Sequence, residues 1–565
     1  MKTIGKIILV LIAIFVVLEI IGAGIRYASR RIASNTVLTI PIEGFIQEQP
    51  AQGLLSSFVA GAPLTVTDIV EGLDRARTDP RIAGAIVQPS ESTMNMAKMQ
   101  EIRDKILEFN RSGKFTVAHL EFATNGPYYV ASACQTIIQL PKSMLYVRGM
   151  MASSTFYRGT LDKLGIVPDL FHTGDYKNAI NVYTEKKYTP AHREATQALL
   201  DDWYGEYVRG VAEARGLKPE EVKPAFAKGP FNSEEAVAAK LVDRLGYEDD
   251  VQTFVRQKTH GSDNHLGLRE YLRRTERAGV SKMAVVYATG TIVPGRGGDE
   301  AFGEALMGSE TMAEQLRLAR EDDSLKAIVL RIDSPGGSVV ASEVIRREVE
   351  LARRVKPVVV SMSDVAASGG YWIALPANKI VAQPGTLTGS IGVITGKFNL
   401  QGLYAKLGLS KDFVTTSDNA TLDYLFQSFT PAQRESVQKY MLGIYKDFIG
   451  IVAKARGMTV EDADRIAQGR VWTGDRARQL GLVDELGGLD TAINMAKELA
   501  KIPKTEQVSL VYLPAPKSLL ERILSFTGDV RLSGSVAAPR AWLTRLESLA
   551  REPAWALMPD VPHVQ

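Results

Sequence analysis

Apolar and polar positions along the second half of the chain follow two alternating periods. The run KMAVVYATGTI (282–292) reads as a strand. In ETMAEQLRLAREDD (310–323) the apolar residues recur at i, i+3 and i+4, the spacing of one helix face. KAIVLRID (326–333) predicts a buried strand, SEVIRREVELARRV (342–355) an amphipathic helix, and KPVVVSMSD (356–364) another strand. ASGGYWIALPA (367–377) and NKIVAQPGT (378–386) follow. Short apolar strands alternating with helical stretches predict an α/β fold of right-handed βαβ units on a mostly parallel sheet. The stretch 429–456 predicts a long helix that covers or extends from that sheet.

The same pattern occurs twice. GLVDELGG (481–488) echoes KLVDRLGY (240–247), FTPAQRES from Phe429 echoes YTPAHREA from Tyr188, and KARGM from Lys454 echoes EARGL from Glu213. YWIALPANKI from Tyr371 matches YYVASACQTI from Tyr128, and AIVLR from Ala327 matches AIVQP from Ala85. Five matches in one order, at nearly constant offset, define two copies of one unit. The copies span 35–265 and 281–501. The polar segment 256–281 reads as a linker and 502–565 as an appended C-terminal tail.

One stretch stands outside this pattern. Ile7 to Ile25 is apolar except for Glu19 and is flanked by Lys2, Lys6, Arg26, Arg30 and Arg31. About 20 apolar residues cross a bilayer, whereas a secretory signal has an apolar region of about 7–15 and a small-residue cleavage site. The segment 1–31 therefore reads as an N-terminal transmembrane anchor, with a cleaved signal as the alternative. Basic residues on both flanks leave its orientation open. Bulk composition adds exclusions. Lys+Arg total 67 against 64 Asp+Glu, a net charge of +3, which gives no basis for nucleic-acid binding. The single cysteine, Cys134, excludes an intramolecular disulfide framework and a Cys-based zinc cluster.

Candidate chemistry lies at the carboxyl ends of the strands, where α/β folds place reactive groups. Two glycine turns sit there, DSPGGSV (333–339) and AASGGYW (366–372). Ser368 in the second turn fits two readings, a helix N-cap or a nucleophile. For a lone Ser-Gly-Gly the cap is the better reading; paired glycine turns bring the second toward equal weight, because two backbone N–H groups can then face one developing oxyanion. Of the six histidines, only His563 follows Ser368, which argues against a Ser-His-Asp triad. A lysine serves as base only where burial lowers its pKa from about 10.4 toward neutrality.

The motifs SPGGSVVASE (334–343), AASGGYWIALPANKIVAQPGTLTGSIGV (366–393), GDYKNA (174–179) with YTPAHRE downstream, and GRVWTGDRARQLGLVDELGG (469–488) resemble the signal peptide peptidase A, or protease IV, family in its long two-repeat form. The resemblance covers the anchor and both copies. It implies tandem Clp/crotonase-like repeats and a serine endopeptidase with a Ser/Lys dyad. Ser368 would be the nucleophile, Lys177 the general base, the N–H groups of Gly337 and Gly369 the oxyanion hole, and Ser390 the residue that orients the lysine. No metal or cofactor is implied. The resemblance also implies a homotetramer, extended apolar peptides such as remnant signal peptides as substrates, and a single-pass protein of the bacterial inner membrane with its body on the periplasmic side. The chain has GDYKNAINVY where the family commonly has YKSA, a change at 178 that leaves the lysine intact.

Registering the copies against each other places Asn125 opposite Ser368, Ala420 opposite Lys177, Val147 opposite Ser390, and the glycine-free SEST (90–93) near SPGG. Each copy has kept what the other lost. One complete site is therefore expected, split between them. Two rival readings remain at this point: a crotonase-like acyl-CoA enzyme, and a membrane scaffold without catalysis.

Overall fold

The computed structural model describes residues 31–48, 64–275, 279–299, 305–515 and 554–558. The apolar run 7–25 lies outside the described residues. Among those described, no helix is long and apolar enough to cross a membrane.

Two parallel sheets carry the two copies. In the first, the order is His265–Gly267, Thr36–Gly44, Ile82–Ser92, Phe115–Leu120, Thr136–Gln139 and Arg244–Leu245, with every pairing parallel. In the second, Val508–Leu513, Ser281–Thr289, Leu325–Ser334, Val358–Ala367, Lys379–Ala382 and Glu485–Leu486 pair in parallel, while Leu387–Gly389 branches parallel from Val358–Ala367 and carries Val471–Thr473 antiparallel. Sheets of this kind are covered on both faces, so their central strands carry continuous apolar runs. Val358–Ala367 is buried at all of its positions. Each copy also ends in an edge strand laid beside its own first strand. These edges, 265–267 and 508–513, fall in the polar segment 256–281 and in the tail 502–565. They are mostly half-exposed or exposed, so they lack the apolar pattern by which a buried strand is read.

The long helices repeat in detail. Pro190–Arg215 and Pro431–Arg456 each start with Pro after a Thr cap, Thr189 or Thr430, whose side chain accepts from the backbone N–H of His192 or Gln433. Each stops at a left-handed glycine, Gly216 (φ 63°) or Gly457 (φ 65°).

A third sheet joins the copies. Its order is Gly297–Asp299, Ala305–Gly308, Thr291–Val293, Gly336–Ser338, Trp555–Leu557, Ile394–Asn399 and Val167–His172. The last pairing is antiparallel and links the second copy to the first, from Ile394 opposite His172 to Asn399 opposite Val167.

The helix Met96–Arg111 of the first copy is driven into the second. Its first turn is capped across the junction by Asp364, which accepts from the N–H groups of Asn95 (3.0 Å) and Lys98 (2.9 Å). Gln100 accepts from Gly385 N–H and Glu101 from Leu489 N–H, both at 2.7 Å. Beneath them Arg331, 1 % exposed, donates to Glu48 (2.8 Å) and Glu101 (2.6 Å). Burial alone would raise the Glu48 carboxyl, but Arg331 and Lys98 outweigh it and hold it below the usual range. Charges this deep add little by themselves, yet removing one partner strands the rest. Arg331→Met should lower unfolding free energy by about 3–5 kcal/mol, read by denaturant unfolding. A loss under about 1 kcal/mol, the range of a surface pair, would show that this cluster does not secure the junction.

Candidate active site

Ser368 follows the fully buried strand Val358–Ala367 and stands at the N-cap position of the helix Gly369–Ala374, with φ 55° and ψ −113°. A non-glycine residue held at positive φ costs of order 1–3 kcal/mol and needs support from its surroundings. That support comes from Ser368 N–H donating to Gly389 O (2.8 Å) and from Trp372 N–H donating to Ser368 O (2.8 Å). The hydroxyl makes no capping bond. It lies instead 2.7 Å from Lys177 Nζ and 3.5 Å from Gly392 O. Of the two readings that the sequence leaves open, a capping side chain is the one that the geometry lacks.

Lys177 comes from the first copy, in the loop between the strand Val167–His172 and the short turn Asn178–Ile180. That loop is stitched to the second copy on both sides. Thr173 N–H donates to Val393 O (3.0 Å), Val393 N–H donates to Thr173 Oγ1 (2.8 Å), and Tyr176 N–H donates to Gln468 O (2.9 Å). Lys177 and Ser368 are both 0 % exposed. Burial, with no acidic group offsetting it, pushes the amine well below the ordinary lysine range. Nζ also lies 2.7 Å from Ser390 O and 3.0 Å from Ser390 Oγ. A neutral amine has two N–H groups and one lone pair. The N–H groups fit the two Ser390 oxygens, which leaves the lone pair to accept from the Ser368 hydroxyl.

Two glycines unassigned in the sequence shape the lysine's channel. A Cβ on Gly392 would lie 3.2 Å from Lys177 Cδ, and one on Gly469 2.4 Å from Lys177 Cβ. Both fall inside long motifs, but their task depends on a loop from the other copy, which no local pattern announces.

Gly337 and Gly369 lie together. A Cβ built on Gly369 would meet Gly337 N at 3.1 Å, and one on Gly336 would meet Gly369 N at 2.7 Å. With φ 101° and 155°, Gly336 and Gly337 use backbone that side-chain-bearing residues avoid. The two turns are tied at their roots by Lys98, also from the first copy. Its amine donates to Asp333 (2.7 Å) and lies 3.6 Å from Asp364. Asp333 opens one turn, and Asp364 lies on the strand that leads into the other. Thus the structure brings Ser368, Lys177, Ser390, Gly337 and Gly369 together, on geometry suited to acyl transfer: a hydroxyl against a buried amine of lowered pKa, beside two backbone N–H groups.

Comparison with known proteins agrees with this chemistry. Peptidase family S49 matches residues 108–261 and again 350–503. The chloroplastic serine protease SPPA of Arabidopsis thaliana is 35% identical over 89% of this chain and 75% of its own length. Protease 4 of Salmonella typhi is 34% identical over 93% and 88%, and Protease 4 of Haemophilus influenzae 30% over 83% and 80%. The acyl-CoA and scaffold readings fall away, because the twofold match and these relatives mark a serine peptidase. The chain belongs to peptidase family S49, with one S49 unit in each of its two copies.

Proposed function

We propose that this serine peptidase works through a Ser368/Lys177 dyad. The observation that carries the reading is the 2.7 Å approach of a fully buried amine to a fully buried hydroxyl. Neutral Lys177 takes the proton of Ser368 as Oγ attacks the scissile carbonyl. The N–H groups of Gly337 and Gly369 hold the oxyanion. Lys177 then protonates the leaving amine, and water, activated by the same lysine, hydrolyses the acyl-enzyme. Ser390 keeps the amine aimed at Oγ through its two contacts.

The tandem Clp/crotonase-like architecture, the membrane anchor at 1–31, a body on the periplasmic side of a bacterial inner membrane and a homotetramer belong to the same proposal. They rest on the apolar run at 7–25 and on the motif resemblance. The substrates would be extended apolar peptides, remnant signal peptides above all, adding as strands to a sheet edge.

Ser368→Ala and Lys177→Ala should each lower kcat by about 10⁴-fold or more in a fluorogenic-peptide assay while leaving the fold intact. A fluorophosphonate should label Ser368 in the wild type and fail in Lys177→Ala. Near-full labelling without the lysine would overturn the assignment of the base.

The pH dependence has a defined sign. Lys177 acts as a base only when neutral, and its pKa is lowered. Activity should therefore rise with pH on a limb that ends below the ordinary lysine range, about 10.4. Because the folded lysine holds its proton less tightly than the unfolded one, it costs stability below the ordinary lysine range, and the cost shrinks as pH rises toward that range. Lys177→Met should abolish turnover yet raise the melting temperature at pH 7. A lower melting temperature would mean that the amine is charged in the fold.

A further inference from the structure

The first copy sends two buried lysines toward the site, in opposite surroundings. No acidic group offsets the burial of Lys177. The amine of Lys98, in contrast, lies 2.7 Å from Asp333, 3.6 Å from Asp364 and 3.8 Å from Glu48. Burial alone would lower this amine, but the three carboxylates outweigh it and hold it above the ordinary lysine range. Lys98 therefore keeps its charge at neutral pH, and its task is not proton transfer.

What it holds is an irregularity in the sheet. Where Leu325–Ser334 pairs with Val358–Ala367, Ile332 lies opposite Met362 and Ser334 opposite Ala366. Asp333 alone therefore faces Ser363, Asp364 and Val365. Bulges bend a strand and re-aim the residues that follow, and they recur beside active sites. Each residue of this one is tied down. The Ser363 carbonyl accepts from Thr386 Oγ1 (2.8 Å), Asp364 accepts from the N–H groups of Asn95 and Lys98, and Val365 N–H donates to Asp333 Oδ1 (3.1 Å). Lys98 binds the other oxygen of Asp333. Four residues beyond Asp333 stands Gly337, and four beyond Val365 stands Gly369. The Asp333–Val365 bond thus sets the stagger of the two glycine turns, and Lys98 holds the carboxylate that makes it. Without the amine, Asp333 and Asp364 would face each other as like charges in a buried place, where salt and water screen little.

We propose that Lys98 is a positioning residue of the oxyanion hole: its ammonium clamps Asp333 and Asp364 across the bulge and so aims the N–H groups of Gly337 and Gly369 at one point. The inference rests on the reading of those two N–H groups as the oxyanion hole. Base and hole are then set by separate contacts, Ser390 for the one and Lys98 for the other, so their defects have different signatures.

The test compares the wild type with Lys98→Met, Lys98→Arg and Asp333→Asn, by peptide turnover and by inhibition with an apolar peptide aldehyde. Ser368 Oγ bonds to the aldehyde carbon, the C=O π pair moves onto the oxygen in the hole, and the serine proton passes to Lys177. Lys98→Met should lower kcat by about tenfold or more, toward the 10²–10³-fold cost of losing one oxyanion donor, with KM unchanged. The aldehyde Ki should rise by the same factor, while the ascending pH limb that reports Lys177 stays in place. A merely structural loss would shrink the active fraction and leave Ki at the wild-type value. Lys98→Arg, which keeps a cation between the carboxylates, should recover most of the loss. Asp333→Asn weakens the same contact from the other side and should match Lys98→Met, and it carries the test where Lys98→Met does not fold. The double variant should fall no further than either single one. Wild-type Ki in Lys98→Met and in Asp333→Asn would overturn the proposal and leave the dyad standing. A wild type that the aldehyde does not inhibit would overturn the oxyanion reading and this inference with it.

Discussion

A lysine amine near pH 7 is a base only where water is kept from it, and this constraint governs much of the structure. Lys177 cannot be buried by its own copy. Its loop hangs off the edge strand Val167–His172 and becomes enclosed only when that strand pairs with Ile394–Asn399. Gly392 and Gly469 then close on the stem with no side chain to hold it away. The site is in this sense a property of the junction, and neither copy contains it.

The junction is accordingly elaborate. A helix of one copy is capped by Asp364 of the other, and buried Arg331 is shared by Glu48 and Glu101 across the same boundary. Ion pairs at such depth roughly break even against apolar packing, so their use lies in fixing one geometry. The 2.7 Å approach of Nζ to Oγ spans the same junction. Lys98 adds to it by binding Asp333 and Asp364, which fixes the two glycine turns at their roots.

How far the sequence foretells this follows from where the information resides. The strands 326–333 and 356–364 were legible because parallel strands buried on both faces are continuous apolar runs. The long helices were legible through their period and caps, and the repeat through its constant offset. Complementary loss, Asn125 opposite Ser368 and Ala420 opposite Lys177, points to a shared site from the residues alone. The edge strands 265–267 and 508–513 were not legible, because half-exposed edges carry little pattern. Nor was the strand 555–557, a few residues in a Pro- and Ala-rich tail whose meaning depends wholly on the sheet it enters. The roles of Gly392, Gly469 and Lys98 were hidden for the same reason: each acts on a residue of the other copy.

The central claim is that Lys177 is neutral in the folded protein. Carbon-13 labelling of the lysine ε-carbons, with the Lys177 resonance assigned by its absence in Lys177→Met, gives its titration directly. A midpoint well below those of the exposed lysines is expected. A midpoint near the ordinary value of about 10.4 would contradict it, because an amine that holds its proton at pH 7 cannot accept one from Ser368.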